Sequence, residues 1–135
     1  MSKDNETVAS QLKQTTEITA DSLTSKEGIE RRRFVRRPAR WNVVITTHDK
    51  YEVDGRTIDI SEKGASIGSP ADFRQGALVI LKISVFYNGK SRELKVLGEV
   101  KHTAIAKDGF TLGMFFKDAS AETFKFFRLY AESRI

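Results

Sequence analysis

The hydrophobic pattern changes character twice along the chain. Over residues 1–28 apolar positions are sparse. Val8 and Leu12 trace a thin helical stripe, there are nine Ser or Thr and no aromatic side chain, and such a segment buries little surface. From Trp41 the apolar residues come in short runs or at every second position, bounded by turn residues, as strands require. Trp41–Thr46 predicts a strand through its β-branched Val43, Val44 and Ile45. Thr57–Ile60 predicts another, with Thr57 and Asp59 on one face and Ile58 and Ile60 on the other. Ser61-Glu62-Lys63-Gly64 reads as a turn and Ala65–Ile67 as the return strand. Leu78–Tyr87 is the longest run, and the Asn88-Gly89 that follows is the strongest hairpin signal in the chain. Leu94 to Ile105, the turn Lys107-Asp108-Gly109 and Phe110–Phe116 complete the set. The period then becomes helical. Asp118 or Ser120 can cap, Glu122 sits in the first turn, and Phe124, Phe127 and Ala131 lie at i, i+3 and i+7. Phe126, Leu129 and Tyr130 widen that face as far as Ser133. Six antiparallel strands and one late helix imply an all-β domain, a six-stranded barrel plugged or flanked by a C-terminal helix.

Composition adds a boundary. The 135 residues allow one domain with a tail: a disordered or weakly helical acidic leader over 1–29 and a folded domain over 30–135. The net charge of +5 is uneven, because residues 1–30 carry three lysines against six acidic residues, leaving +8 for the rest. A basic domain favours anionic partners. No apolar run approaches the roughly 18 residues of a membrane span, and no basic-then-apolar signal peptide opens the chain. There are no cysteines and two histidines, His48 and His102, on different elements, so neither disulfide nor metal site is expected. The expected setting is the cytoplasm.

The candidate chemistry begins at the sign change. Arg31-Arg32-Arg33-Phe34-Val35-Arg36-Arg37 has five arginines in seven residues, and no acidic residue occurs from Arg31 to His48. Guanidinium groups so close repel one another and are stabilised by an anion; their planar forks suit phosphate oxygens and the O6/N7 edge of guanine. Two Arg-x-x-x-Arg pairs overlap, Arg32…Arg36 and Arg33…Arg37. Read alone, such a cluster is as often a general nucleic-acid patch. Downstream, Asp59-Ile60-Ser61-Glu62-Lys63-Gly64 has the form Asp-x-Ser-x-x-Gly. An ionised carboxylate accepts two hydrogen bonds side by side, matching the N1–H and N2–H₂ of guanine. The Ser61 hydroxyl can serve a base edge or phosphate, and Gly64 permits positive φ and close approach of a ligand. By itself this hexapeptide reads more readily as a plain hairpin turn.

The two motifs together, with 22 residues between Arg36 and Asp59, resemble the PilZ domain, a family of receptors for the bacterial second messenger cyclic di-GMP. The resemblance runs from about Glu30 to Tyr130 and includes Glu30-Arg31-Arg32-Arg33-Phe34, the strand Leu112-Gly113-Met114-Phe115-Phe116 and the aromatic helix. It implies that Arg32 and Arg36 grip phosphate and guanine, that Arg31 and Arg33 add phosphate contacts, and that Asp59, Ser61 and Gly64 read base edges and allow approach. Arg37, in the alternative register, and Lys101 or His102, near the position where family members carry a stacking residue, are further candidates. It also implies a non-catalytic signal-transduction protein. Its mobile arm closes on the ligand, single or as an intercalated pair, and regulates an unidentified protein target, with no cofactor. A nucleic-acid-binding or protein-interaction β-domain is the alternative, which Asp59 disfavours because a carboxylate repels phosphates. Gly64-Ala65-Ser66-Ile67-Gly68 fits the Gly-x-Ser-x-Gly of hydrolases, but that elbow needs a strand–turn–helix, whereas the region reads as β.

Overall fold

The computed structural model describes residues 34–135, so Arg31, Arg32, Arg33 and the leader lie outside the described residues. Seven strands follow in order: β1 (Arg37–Pro38), β2 (Asn42–Thr46), β3 (Glu52–Ile60), β4 (Gly64–Ser69), β5 (Leu78–Tyr87), β6 (Lys90–Ala106) and β7 (Gly109–Ala119), then helix α1 (Ala121–Ala131). The ladder runs β3-β2-β5-β6-β7-β4, and β4 pairs back onto β3, closing a six-stranded antiparallel barrel. The two-residue β1 lies beside the end of β3, Arg37 opposite Ile60 and Pro38 opposite Asp59.

Alternation explains the barrel. On β5, Val79, Leu81, Ile83 and Val85 point inward, and Val43, Ile45, Ile67, Val96, Val100, Leu112, Met114 and Phe116 meet them from the other strands. Asn88 and Gly89 both have positive φ, 54° and 73°, the conformation of a two-residue hairpin turn. Three features exceed the sequence expectation. β3 starts at Glu52 instead of Thr57, because Val53 is a lone apolar residue among Glu52, Asp54 and Arg56, and the next inward position, Gly55, has no side chain to print an apolar signal. β6 begins at Lys90, its first positions carrying Ser91, Arg92 and Glu93. The third is β1.

Besides a shift of β6 against β7 between Leu97 and Gly98, two bulges interrupt the alternation. β3 shifts register against β4 between Thr57 and Asp59, and β6 shifts against β7 between Val100 and His102. The first overturns the expected faces of Thr57–Ile60. Thr57 is buried with Ile60, while Ile58, the extra residue, is 44% exposed. The Thr57 hydroxyl accepts from the Trp41 amide at 2.8 Å and donates to the Ala39 carbonyl at 2.6 Å. It thereby staples β3 to the break between β1 and β2.

α1 starts at Ser120, whose Oγ accepts from the Thr123 amide at 3.1 Å, so Ser120, not Asp118, is the cap. The helix lays Phe126, Phe127 and Tyr130 against the barrel end where β2 begins and β7 finishes. Its rings stand 4.9 Å (Trp41 to Tyr130) and 5.1 Å (Phe116 to Phe127) from their partners.

Candidate ligand-binding site

The bulges bring one row of residues into line across the outer wall. Asp59 pairs with Ser66, Ser66 with Gly113, and Gly113 with His102, so the row crosses β3, β4, β7 and β6. Outward parity on β4 selects Ser66, between buried Ala65 and Ile67. The Ile58 bulge turns Asp59 outward, and the Lys101 bulge sets His102 opposite Gly113. Bulges commonly re-aim side chains beside functional sites in this way. The His102 ring lies directly over Gly113: a Cβ on that glycine would stand 2.2 Å from the imidazole Cε1.

Arg36, the residue before β1, closes the row at the Asp59 end. Its Nε donates to Asp59 Oδ1 at 3.1 Å, its Nη2 stands 2.9 Å from the same oxygen, and Nη2 also donates to Ser66 Oγ at 3.4 Å. The Ser66 amide donates to Oδ1 at 3.2 Å. All of these contacts to the carboxylate fall on Oδ1; no described residue donates to Oδ2. The pair is partly open to solvent, with side chains 42% and 27% exposed. Two groups 23 positions apart in sequence therefore meet.

Arg37 goes the other way. Its guanidinium lies 4.2 Å from the centre of the Tyr130 ring and 5.5 Å from that of Tyr87, and Nη1 donates to the Tyr130 carbonyl at 3.1 Å. The Tyr130 hydroxyl donates to the Pro38 carbonyl at 2.7 Å. Burial raises the Tyr130 phenol above its ordinary pKa, and the Arg37 cation partly offsets this. Arg37 is thus a tie to the helix, and a ligand-gripping role for it would need that tie to break.

The remaining candidates divide. Ser61 is 2% exposed; its amide and its hydroxyl both donate to the Gly64 carbonyl, at 2.8 and 3.2 Å. Its hydroxyl is therefore folded into the turn and is not presented to a base edge or phosphate on the outer wall beside Asp59. Gly64 does not have the positive φ expected of it. Its lack of a side chain is required because a Cβ would stand 2.5 Å from the Met114 carbonyl oxygen on β7. Lys101 extends to Glu99 at 3.9 Å. Ser66 is the residue that motif reading missed; alternation between Ala65 and Ile67, counted from Gly64, was the signal available. The Gly-x-Ser-x-Gly segment lies wholly within β4, with no helix behind it, so it is no nucleophile elbow. Among the described residues no three of His, Cys, Asp or Glu are grouped to hold a metal ion, and no helix is long and apolar enough to cross a membrane.

An arginine–aspartate pair thus lies on the outer wall of a small closed barrel. The profile of the PilZ domain matches residues 30–132, and the chain belongs to the PilZ domain family, whose members include cyclic di-GMP receptors. Solved structures share the fold. The inhibitor of motility MotI/DgrA of Bacillus subtilis superposes with a TM-score of 0.65 at 18% identity, over 77% of this chain and 50% of that one, so the present chain spans about half its length. The PilZ domain with c-di-GMP of YcgR from Escherichia coli gives 0.59 at 14% identity, over 76% of this chain and 90% of that one. The PilZ domain of CeSA from a cellulose-synthesizing bacterium gives 0.52 at 20% identity, over 73% and 96%. No curated protein matches the chain in sequence.

Proposed function

We propose that this protein is a non-catalytic receptor for cyclic di-GMP that binds the ligand between its arginine-rich arm and the row headed by Asp59. The observation that carries the reading is the Arg36–Asp59 contact, in which one group from each motif occupies the same spot on the barrel wall. It favours Arg32…Arg36 over Arg33…Arg37 as the gripping pair, since Arg37 is held at Tyr130. Family membership and the ligand named for the YcgR domain point the same way.

The chemistry is an exchange of partners. With Oδ1 engaged by Arg36 and Ser66, Asp59 cannot offer both oxygens to guanine. Binding moves the Arg36 fork off Oδ1 to a phosphate or to the O6/N7 edge, while the carboxylate accepts N1–H and N2–H₂. An internal ion pair is thereby replaced by two charge-assisted contacts to one ligand, each worth roughly 1–3 kcal/mol of discrimination. Arg31, Arg32 and Arg33 supply further cations, and His102 over Gly113 offers a flat ring for a base. Ligand binding changes the face shown to a protein target.

Isothermal titration with cyclic di-GMP tests this. Arg36→Ala and Asp59→Ala are each expected to lower affinity by about tenfold or more, one such contact's worth. Their unfolding midpoints should stay near wild type, because exposed pairs contribute roughly 0–1 kcal/mol. Wild-type affinity in both variants, or equal competition by DNA at the same salt, would refute the assignment.

A further inference from the structure

Arg36 and Arg37 are adjacent in sequence yet serve opposite sides of the chain. One reaches the row on the outer wall; the other is packed on the aromatic end of α1. Immediately after them the backbone has little freedom. Pro38 is paired with Asp59, its carbonyl receives the Tyr130 hydroxyl, and the next amide, Ala39, donates to Ile58 at 3.1 Å. The Arg37 guanidinium is held from several directions: by the Tyr130 ring, by the Tyr87 ring, by the Tyr130 carbonyl and by the Ile135 carbonyl at 3.5 Å. Tyr87 in turn donates its hydroxyl to the Ile135 carbonyl, so the clamp closes on itself.

We propose that Arg37, locked by Tyr130, is a positioning residue for Arg36. It fixes the point at which the arm leaves the barrel, and so holds the Arg36 fork within reach of both Asp59 and a ligand. This rests on the cyclic di-GMP reading for its binding consequence, though not for its geometry. A cation over an aromatic face with a carbonyl behind it is a stiff anchor, since the guanidinium is satisfied both at its face and at its N–H edge. An anchor one residue from the gripping side chain removes the freedom that would otherwise be lost on binding, the general source of gain from preorganisation. Loosening it removes no ligand-contacting group, but it frees the Arg36 fork and so weakens binding.

The test uses the full chain. Arg37→Gln removes the cation while keeping a hydrogen-bonding side chain, and its cyclic di-GMP affinity is expected to fall by about tenfold, the scale of one charge-assisted contact. In an Arg36→Ala background the same substitution should produce no further fall, because a residue that acts through Arg36 has nothing left to position. An equal fall in both backgrounds, or none in either, overturns the proposal. A ligand-free readout keeps it separable from the functional reading: exchange of the Arg36 Nε proton, followed by nitrogen-15 NMR, should quicken in Arg37→Gln, and unchanged exchange overturns the positioning role. If wild type fails to bind cyclic di-GMP, the receptor reading falls while this measurement still decides the anchor. Should Arg37→Gln not fold, Tyr130→Phe removes only the hydroxyl on Pro38. It should then lower affinity through Arg36 and quicken the Nε exchange in the same way, and no change in either measurement overturns the anchor.

Discussion

The aromatic end of the domain and the polar row on its wall are built on opposite rules. At the end, Trp41, Phe116, Phe126, Phe127 and Tyr130 fill space with rings, and almost nothing there is open to water. Along the row, Asp59, Ser66, Gly113 and His102 line the outer wall: one side chain is small, one is absent and covered by the His102 ring, and two bulges break the ladder to aim the others. Packing of the first kind stabilises the fold in proportion to buried area. The second kind contributes little to stability, and exposed carboxylate–guanidinium pairs are easily exchanged for a ligand. The difference teaches where to cut. Substitutions at the end should unfold the protein, and substitutions along the row should silence it while leaving it folded.

The largest effect belongs to Phe127, which is fully buried and sandwiched between Phe116 and Phe126 at 5.1 and 5.9 Å. Phe127→Ala should cost about 3–5 kcal/mol through lost burial and the cavity left behind. That is a large fraction of a typical domain's stability of about 5–15 kcal/mol, and a urea melt should show the midpoint falling steeply. A midpoint within error of wild type would mean that the helix is an appendage, and the contrast between end and row would lose its first half.

Gly64 lies on the border between the two regions and sharpens the contrast. An added methyl meets a backbone oxygen of β7, which cannot rotate aside, so the ladder between β4 and β7 must part locally. Gly64→Ala should destabilise by about 1–3 kcal/mol, as overpacking does, and weaken cyclic di-GMP binding because Ser66 rides on that ladder and pairs with Asp59 across the next. Loss of binding with the melt unchanged would instead make Gly64 a point of ligand approach, as its place in the motif suggests.

The barrel was legible in sequence wherever inward positions were large and β-branched, as on β5, and wherever a turn needed special backbone, as at Asn88-Gly89. It was hidden where small residues face inward, as at Gly55, and where one extra residue shifts parity. Neither bulge leaves a mark in composition, so the faces of Thr57–Ile60 came out reversed in part. Of the row, Asp59 could be found through the motif and Ser66 through alternation alone. That Arg37 serves the helix could not be read at all, since an arginine over a tyrosine 93 positions away has no local signature.

Ser61 carries the smallest expected effect and the finest distinction. Its place two residues after Asp59 suggests a side chain beside the carboxylate, available to the ligand. Yet the hydroxyl hydrogen is spent on the Gly64 carbonyl and the residue is buried, so reaching a ligand would mean opening the turn that seats Gly64 against β7. If its work is internal, Ser61→Ala removes one neutral hydrogen bond and should cost about 1 kcal/mol in a urea melt. Affinity for cyclic di-GMP should then change by less than about threefold, under half the free energy of a tenfold contact. A tenfold loss of affinity with the melt unmoved would show that the turn opens to hand the hydroxyl to the ligand. The responsive row would then extend two residues along the motif, from Asp59 to Ser61.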